Sequence, residues 1–313
     1  MKVIYLGTPD FAVAPLQKIV EEGKHEILAV VTQPDRPNGR SGKPVPPPVK
    51  VYAESAGLPV LQYHSIRKEG VEDLVRLAPD VMITCAFGQI LSQEILDIAP
   101  VGVYNLHASI LPEYRGSAPI QWAILDGKSE TGVTVMKTDI GVDTGDILFC
   151  KRLSIGENET AGELFDRLSV LAAECGVEAL RRLQRGDVTL TKQDESRATH
   201  VSMLKKEDGK IDWTKRAKTI HNQVRGLYPW PGTFTYWQGQ QVKILQTALS
   251  DMPANGKTAG EVVVSSVKEG LFVACGEGVI EIKALQLAGG KKLPATEFLK
   301  GRPIAVGETF TND

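Results

Sequence analysis

From Lys2 to Asn105 the chain repeats one pattern, a short apolar run rich in β-branched residues followed by a segment of helical periodicity. That repetition leaves few choices of fold. Strands are predicted at Lys2–Leu6, Glu26–Thr32, around Val60, at Val81–Cys85 and at Val101–Tyr104. Helices are predicted between them over Phe11–Glu22, near Pro48–Ala56, over Gly70–Leu77 and near Leu91–Leu96. Strands that lack polar alternation are covered on both faces, so the expected architecture is α/β with a Rossmann-like, mostly parallel sheet. Ligands of such sheets bind beyond the carboxyl ends of the strands. One strand end stands out here. Asn105 and His107 follow the apolar run, and their spacing of two puts both side chains on the same face of an extended backbone.

Other chemistries find little support. The turn Gly7-Thr8-Pro9-Asp10 after the first strand is not G-x-G-x-x-G, which argues against a dinucleotide cofactor. Cys85, Cys150, Cys175 and Cys275 are scattered without a C-x-x-C pair, so neither a metal site nor a disulfide framework is expected. Ser109 and Ser117 sit in no G-x-S-x-G elbow, and H-E-x-x-H does not occur. The chain shows no secretory leader and no apolar run of membrane-spanning length, and is expected to be cytoplasmic.

A strand at Gly132–Met136 leads into a turn-rich loop bearing Asp139, Asp143 and Asp146, one of which could face the crevice. A long amphipathic helix follows from about Ala161 to Leu183. The polar stretch after it suggests a domain boundary, giving a catalytic domain over 1–188, a linker over 189–206 and a second domain over 207–313. In the second domain a helical part, Trp213–Gly226, precedes five short strands at Phe234–Trp237, Val242–Ala248, Gly260–Ser265, Leu271–Ala274 and Val279–Leu285. Their Gly-bearing turns suggest a small β-barrel of oligonucleotide-binding type. From Thr189 onward the chain carries 17 Lys and Arg against 13 Asp and Glu, a balance of +4, whereas residues 1–188 carry 19 against 25, a balance of −6. A basic C-terminal part suits contact with a phosphate backbone. So does the Pro- and Gly-rich loop from Gln33 to Val49, with Arg36, Arg40 and Lys43, in which no packed element is expected. His25, His64, His200 and His221 lack comparable company and are read as surface or structural residues.

An amide, an imidazole and a loop carboxylate suit acyl transfer, in which donors stabilise an oxyanion and a carboxylate fixes the protonation of the histidine. All three residue types are also ordinary turn and strand-end formers, so spacing alone leaves both readings open.

Two separated segments carry a resemblance. Asn105-x-His107 with Ser109-Ile110-Leu111-Pro112 and Tyr114 to Gln121, followed by Asp139 to Asp146, resemble in order the signatures of formyltransferases that use 10-formyltetrahydrofolate. Gly7 to Phe11, Thr32 to Pro37 and the Tyr228-Pro229-Trp230-Pro231-Gly232 cluster narrow the resemblance to the branch whose acceptor is methionyl-initiator tRNA. It covers nearly the whole chain. Ala108 and Ile110 stand where Gly and Leu are common in that family, and neither removes a polar group. The resemblance implies Asn105, His107 and Asp143 as the catalytic group. It implies Ser109, Ile110, Leu111 and Pro112 as folate contacts, with Phe87 and Gly88 lining the pterin pocket. It places the tRNA acceptor end against Arg40 and Lys43. It further implies 10-formyltetrahydrofolate as co-substrate and initiator methionyl-tRNA as partner; from the residues, no metal and no membrane contact are expected, and the chain is expected to be a monomer. Two other readings share part of this pattern: a formyltransferase acting on a small amine, such as a glycinamide ribonucleotide or an amino sugar, and a non-catalytic RNA-binding protein.

Overall fold

The structure, a computed structural model, describes residues 1–37 and 42–312. Two compact units make up the chain. The first comprises Met1–Pro119, Thr131–Ser154 and Phe165–Val201; the second comprises Ile120–Glu130, Ile155–Leu164 and Ser202–Asp313. Residues 189–201, assigned from composition to a connection, lie in the first unit, and 202–206 in the second.

The first unit is built on seven strands: β1 (Lys2–Gly7), β2 (Glu26–Thr32), β3 (Val60–Gln62), β4 (Val81–Cys85), β5 (Gly102–His107), β6 (Glu130–Lys137) and β7 (Ile147–Ser154). They form one sheet in the order β7-β6-β5-β4-β1-β2-β3. β1 runs parallel to both β2 and β4, β2 to β3 and β4 to β5, while β6 joins β5 antiparallel. Every residue of β4 is buried, as an unbroken apolar run in a parallel sheet requires. Ile4, Leu6, Met82 and Val103 face one layer of core shared with Ile66, Leu74 and Ile95. Against the other face packs the long helix Ala161–Arg185, in which Leu168, Ala172, Cys175, Ala179 and Leu183 recur at helical spacing and are buried. Its Gly176 lies next to Leu106 of β5 and to Ile19, on the helix Val13–Glu22.

The chain winds from β1 outward to β3, then returns to place β4 on the other side of β1. The ends of β1 and β4 therefore flank the switch point where such sheets open a crevice. The loop after β2 holds one element that its composition concealed. Arg36 pairs with Val45 and Pro37 with Pro44 in a two-residue antiparallel ladder. Two prolines among four ladder residues leave no periodicity from which to read a strand.

In the second unit, five strands run antiparallel, β8 (Thr233–Trp237), β9 (Gln240–Ser250), β10 (Val262–Ser266), β11 (Gly270–Ala274) and β12 (Val279–Leu287), and a short sixth, Leu293–Pro294, pairs with β12. Their order is β8-β9-β12-β11-β10. Thr311 bridges to Tyr236 of β8 and Thr309 to Glu261 beside β10, so the chain's last residues join the two edges of the sheet. The inner face carries Val242, Ile244, Leu271, Val273, Ile280 and Ile282, at alternating positions along their strands. The helix Ala217–Gly226 covers it with Ile220 and Val224, one turn apart. Trp213, read as helical, instead sits ahead of that helix in the core, stacked on Phe310 and donating its indole N–H to Thr235. Among the described residues, no helix is long and apolar enough to cross a membrane.

Candidate active site

β5 ends with Asn105 half-buried and His107 6% exposed. Their alternation with buried Leu106 is the local reason that both point the same way. The loop between β6 and β7 brings Asp143 to them. Its Oδ1 accepts from Asn105 Nδ2 at 3.3 Å, and its Oδ2 lies 3.6 Å from His107 Nδ1. Oδ2 also accepts the Gly116 N–H at 2.9 Å.

The imidazole is held from its other side as well. His107 Nε2 lies 2.9 Å from the Tyr114 carbonyl, which only accepts, so Nε2 carries a hydrogen. On the opposite side of the ring, Nδ1 faces the Asp143 carboxylate, so a carbonyl and a carboxylate bracket the imidazole. Asn105 is oriented by the same reasoning, since its Nδ2 must donate to the carboxylate while its Oδ1 accepts from the Thr84 hydroxyl at 2.9 Å.

The backbone around these groups is unusual. Tyr114, Ala118 and Asp143 have φ of 62°, 59° and 53°, in the left-handed region that non-glycine residues seldom occupy. Such residues gather where a site needs a side chain aimed in a set direction. Asp139, by contrast, turns back on its own loop, accepting from the Gly141 N–H at 3.0 Å and the Thr144 hydroxyl at 2.7 Å.

The other candidates are placed as follows. Ser109 is fully buried and its hydroxyl donates to the Glu113 carbonyl at 2.7 Å; Leu111 and Pro112 are buried, and Ile110 is the half-exposed member of the four. The Leu111 N–H donates to Thr134 Oγ1, which in turn donates to the Ser109 carbonyl, tying this segment to β6. Phe87 and Gly88 follow β4 at the switch point. The Phe87 carbonyl accepts from Thr8 Oγ1 and Gln33 Nε2, and the Gly88 carbonyl also accepts from Gln33, so the ends of β1, β2 and β4 are laced together. Lys43 is exposed in the loop after β2, and Arg40 lies outside the described residues.

Sequence reasoning missed four contributors: Thr84, the Tyr114 carbonyl, the Gly116 N–H and Gln193. The last donates from Nε2 to the Asp143 and Gly145 carbonyls, at 2.9 and 2.8 Å. Backbone groups leave no signature in a sequence, and Gln193 lies in a polar stretch without periodicity. Arg115 was visible as part of a motif but not as what it is, a guanidinium 1% exposed that pairs with Glu195 and donates to Gln193. The hydrogen bonds and charge of Glu195 push Arg115 above its ordinary pKa despite burial, and those of Arg115 hold Glu195 below the usual carboxylate range.

Comparison with known proteins decides the family. Residues 1–180 match the formyl transferase family and residues 203–303 match the formyl transferase C-terminal domain. The chain belongs to the formyl transferase family. Among curated relatives of this formyl transferase, the methionyl-tRNA formyltransferase of Geotalea daltonii is 47% identical over 308 residues, covering 98% of this chain and 97% of its own. That of Acetivibrio thermocellus is 42% identical, covering 99% of each. The fold is shared with an N-formyltransferase of Helicobacter canadensis solved with folinic acid and dTDP-3-aminofucose, at a TM-score of 0.67 and 20% identity over 94% of this chain and all of the other. It is also shared with HypX of Aquifex aeolicus solved with tetrahydrofolic acid, at a TM-score of 0.64 and 19% identity over 100% of this chain and 51% of the other. The enzyme is a formyltransferase with a mostly parallel α/β catalytic sheet and an antiparallel β-rich C-terminal part.

Proposed function

We propose that this formyltransferase moves the formyl group of 10-formyltetrahydrofolate to the α-amino group of methionyl-initiator tRNA. The observation that carries the chemistry is the convergence of Asn105, His107 and Asp143 at the end of β5. The acceptor rests on the full-length relatives at 42–47% identity, which are named for methionyl-tRNA.

A free α-amino group has a reference pKa of about 7.7–8.0, so a substantial fraction is neutral near pH 7 and the nucleophile needs placement more than a strong base. The amine nitrogen forms a bond to the formyl carbon while the carbonyl oxygen takes up charge. The second N–H of Asn105 and the protonated imidazole of His107 stabilise that oxygen. As the bond from carbon to the folate nitrogen breaks, the proton lost by the amine passes to that nitrogen, with Asp143 keeping His107 charged and relaying the proton directly or through water. Folate meets the 109–112 segment at half-exposed Ile110 and the switch-point backbone at Phe87–Gly88. The Ser109 hydroxyl is committed to the Glu113 carbonyl and its own carbonyl to Thr134, so Ser109 acts by shaping the segment that presents Ile110. The loop bearing Arg40 and Lys43, together with the basic 207–313 domain, takes the phosphates of the tRNA.

The test is a formyl-transfer assay with methionyl-tRNA beside a panel holding glycinamide ribonucleotide and an amino sugar. Formylation of methionyl-tRNA with little turnover of the small amines is expected; preference for a small amine overturns the acceptor, and no transfer to any overturns the chemistry.

A further inference from the structure

We infer that Gln193 is a positioning residue for Asp143, in a strap formed by residues 191–201 that holds both loops of the site in register. The inference rests on the reading of Asp143 as the group that keeps His107 charged.

Asp143 is gripped at two points. Gln193 Nε2 donates to its carbonyl at 2.9 Å and to that of Gly145 at 2.8 Å. The Gly116 N–H holds its carboxylate at 2.9 Å. Both grips meet at Arg115, whose Nε and Nη2 donate to Gln193 Oε1 at 3.0 and 2.9 Å and whose backbone precedes Gly116. Arg115 is in turn fixed by Glu195, which accepts from Nη1 at 2.9 Å and Nη2 at 2.6 Å. Linking two carbonyls to a guanidinium takes two donor hydrogens and an acceptor oxygen on one terminal group, which a side-chain amide supplies.

The strap grips the other loop too. Thr199 Oγ1 accepts the Tyr114 N–H at 2.8 Å, its carbonyl accepts the Arg115 N–H at 2.9 Å, and the Val201 carbonyl accepts the Ser117 N–H at 3.0 Å. Tyr114 is the residue whose carbonyl holds His107. At its other end, Thr191 exchanges backbone hydrogen bonds with Ile147, the first residue of β7. One segment thus hangs the partner on each side of the imidazole from a common support. Asp143 sits in a left-handed backbone conformation, and its contact with His107 is already 3.6 Å, so little slack remains before the pair separates.

Gln193→Glu separates the two halves of the link, because a carboxylate still accepts from Arg115 but cannot donate to the carbonyls of Asp143 and Gly145. Gln193→Met keeps the bulk and removes both halves. Each is made in the full-length enzyme and in an Asp143→Asn background, with kcat, KM for both substrates and melting temperature measured. Gln193→Glu is expected to lower kcat about 10- to 100-fold, leaving both KM values and the melting temperature near wild type. In the Asp143→Asn background it is expected to add less than about twofold, as residues acting as one unit do. Wild-type kcat in Gln193→Glu and Gln193→Met overturns the inference and leaves the Asp143 reading standing. So does a lowered melting temperature in both variants with normal kcat in the folded enzyme, or a full additional loss in the double variant. Wild-type kcat in Asp143→Asn alone overturns both.

Discussion

His107 faces the Asp143 carboxylate across 3.6 Å with one ring nitrogen and the Tyr114 carbonyl across 2.9 Å with the other. Removing one donor from an oxyanion site typically costs roughly 10²–10³ in rate. His107→Ala and Asn105→Ala are each expected to lower kcat by about that factor with tRNA affinity retained. Steady-state kinetics together with a filter-binding titration checks this. Near-normal turnover in either variant removes that residue from the mechanism.

Gly116 is expected to tolerate no side chain. Its φ is 105°, and a Cβ there would stand 2.4 Å from the Val201 carbonyl oxygen, a main-chain atom with little room to move. Its N–H also holds Asp143. Gly116→Ala should cost about 1–3 kcal/mol of stability from the strained backbone and lower kcat with it. Urea denaturation monitored beside turnover reads both effects; a variant that loses neither shows that the 113–117 segment relaxes without disturbing the site.

The second unit is expected to weaken in mild acid through His221. This ring is 2% exposed, bonded to Thr247 Oγ1 at 3.0 Å and to the Glu157 carbonyl at 3.3 Å, and burial lowers its pKa from the ordinary histidine range. The unfolded chain therefore takes up the proton at a pH where the folded chain does not. Stability is fully present above the unfolded pKa of about 6.5 and is lost as pH falls through the lower folded value. Melting temperatures measured from pH 8 to pH 5 should fall less steeply in His221→Gln than in wild type. Parallel curves would show that His221 does not set the slope.

Lys43 stands exposed in the loop after β2. If it meets a tRNA phosphate, Lys43→Ala should weaken tRNA binding and reduce the slope of log K against log salt by about 1, with folate kinetics unchanged. An unaltered slope across a salt series would remove Lys43 from the tRNA surface. Arg40→Ala is expected to behave in the same way.

Much of the fold was legible because its signals are local. β4 announces itself as an apolar run, since a parallel strand buried on both faces has no polar alternation to keep. The long helix was placed to within its last turn by the recurrence of Leu168, Ala172, Cys175 and Ala179. The reading failed where local pattern was lacking or ambiguous. The Arg36–Pro37 and Pro44–Val45 ladder is too short to show a period, and Trp213 fills the core ahead of its helix because Phe310, far along the chain, supplies the face it stacks on. The interleaving of Ile120–Glu130 and Ile155–Leu164 into the second unit had no composition shift to mark it. Its supports are long-range, among them Arg225, which donates to the carbonyls of Gly156 and Glu159.

The sequence by itself determined that Asn105 and His107 share a face at the end of a buried strand, because the two-residue period of an extended chain is set by each residue's own geometry. Only the tertiary structure decided which aspartate faces that imidazole. Asp139 is spent on its own turn, whereas Asp143, 38 residues from Asn105 along the chain, is carried to the site by the pairing of β6 with β5 and by the groups that hold its loop. Closing such a loop is decided by contacts summed over the whole sheet and not by the residues beside Asp143.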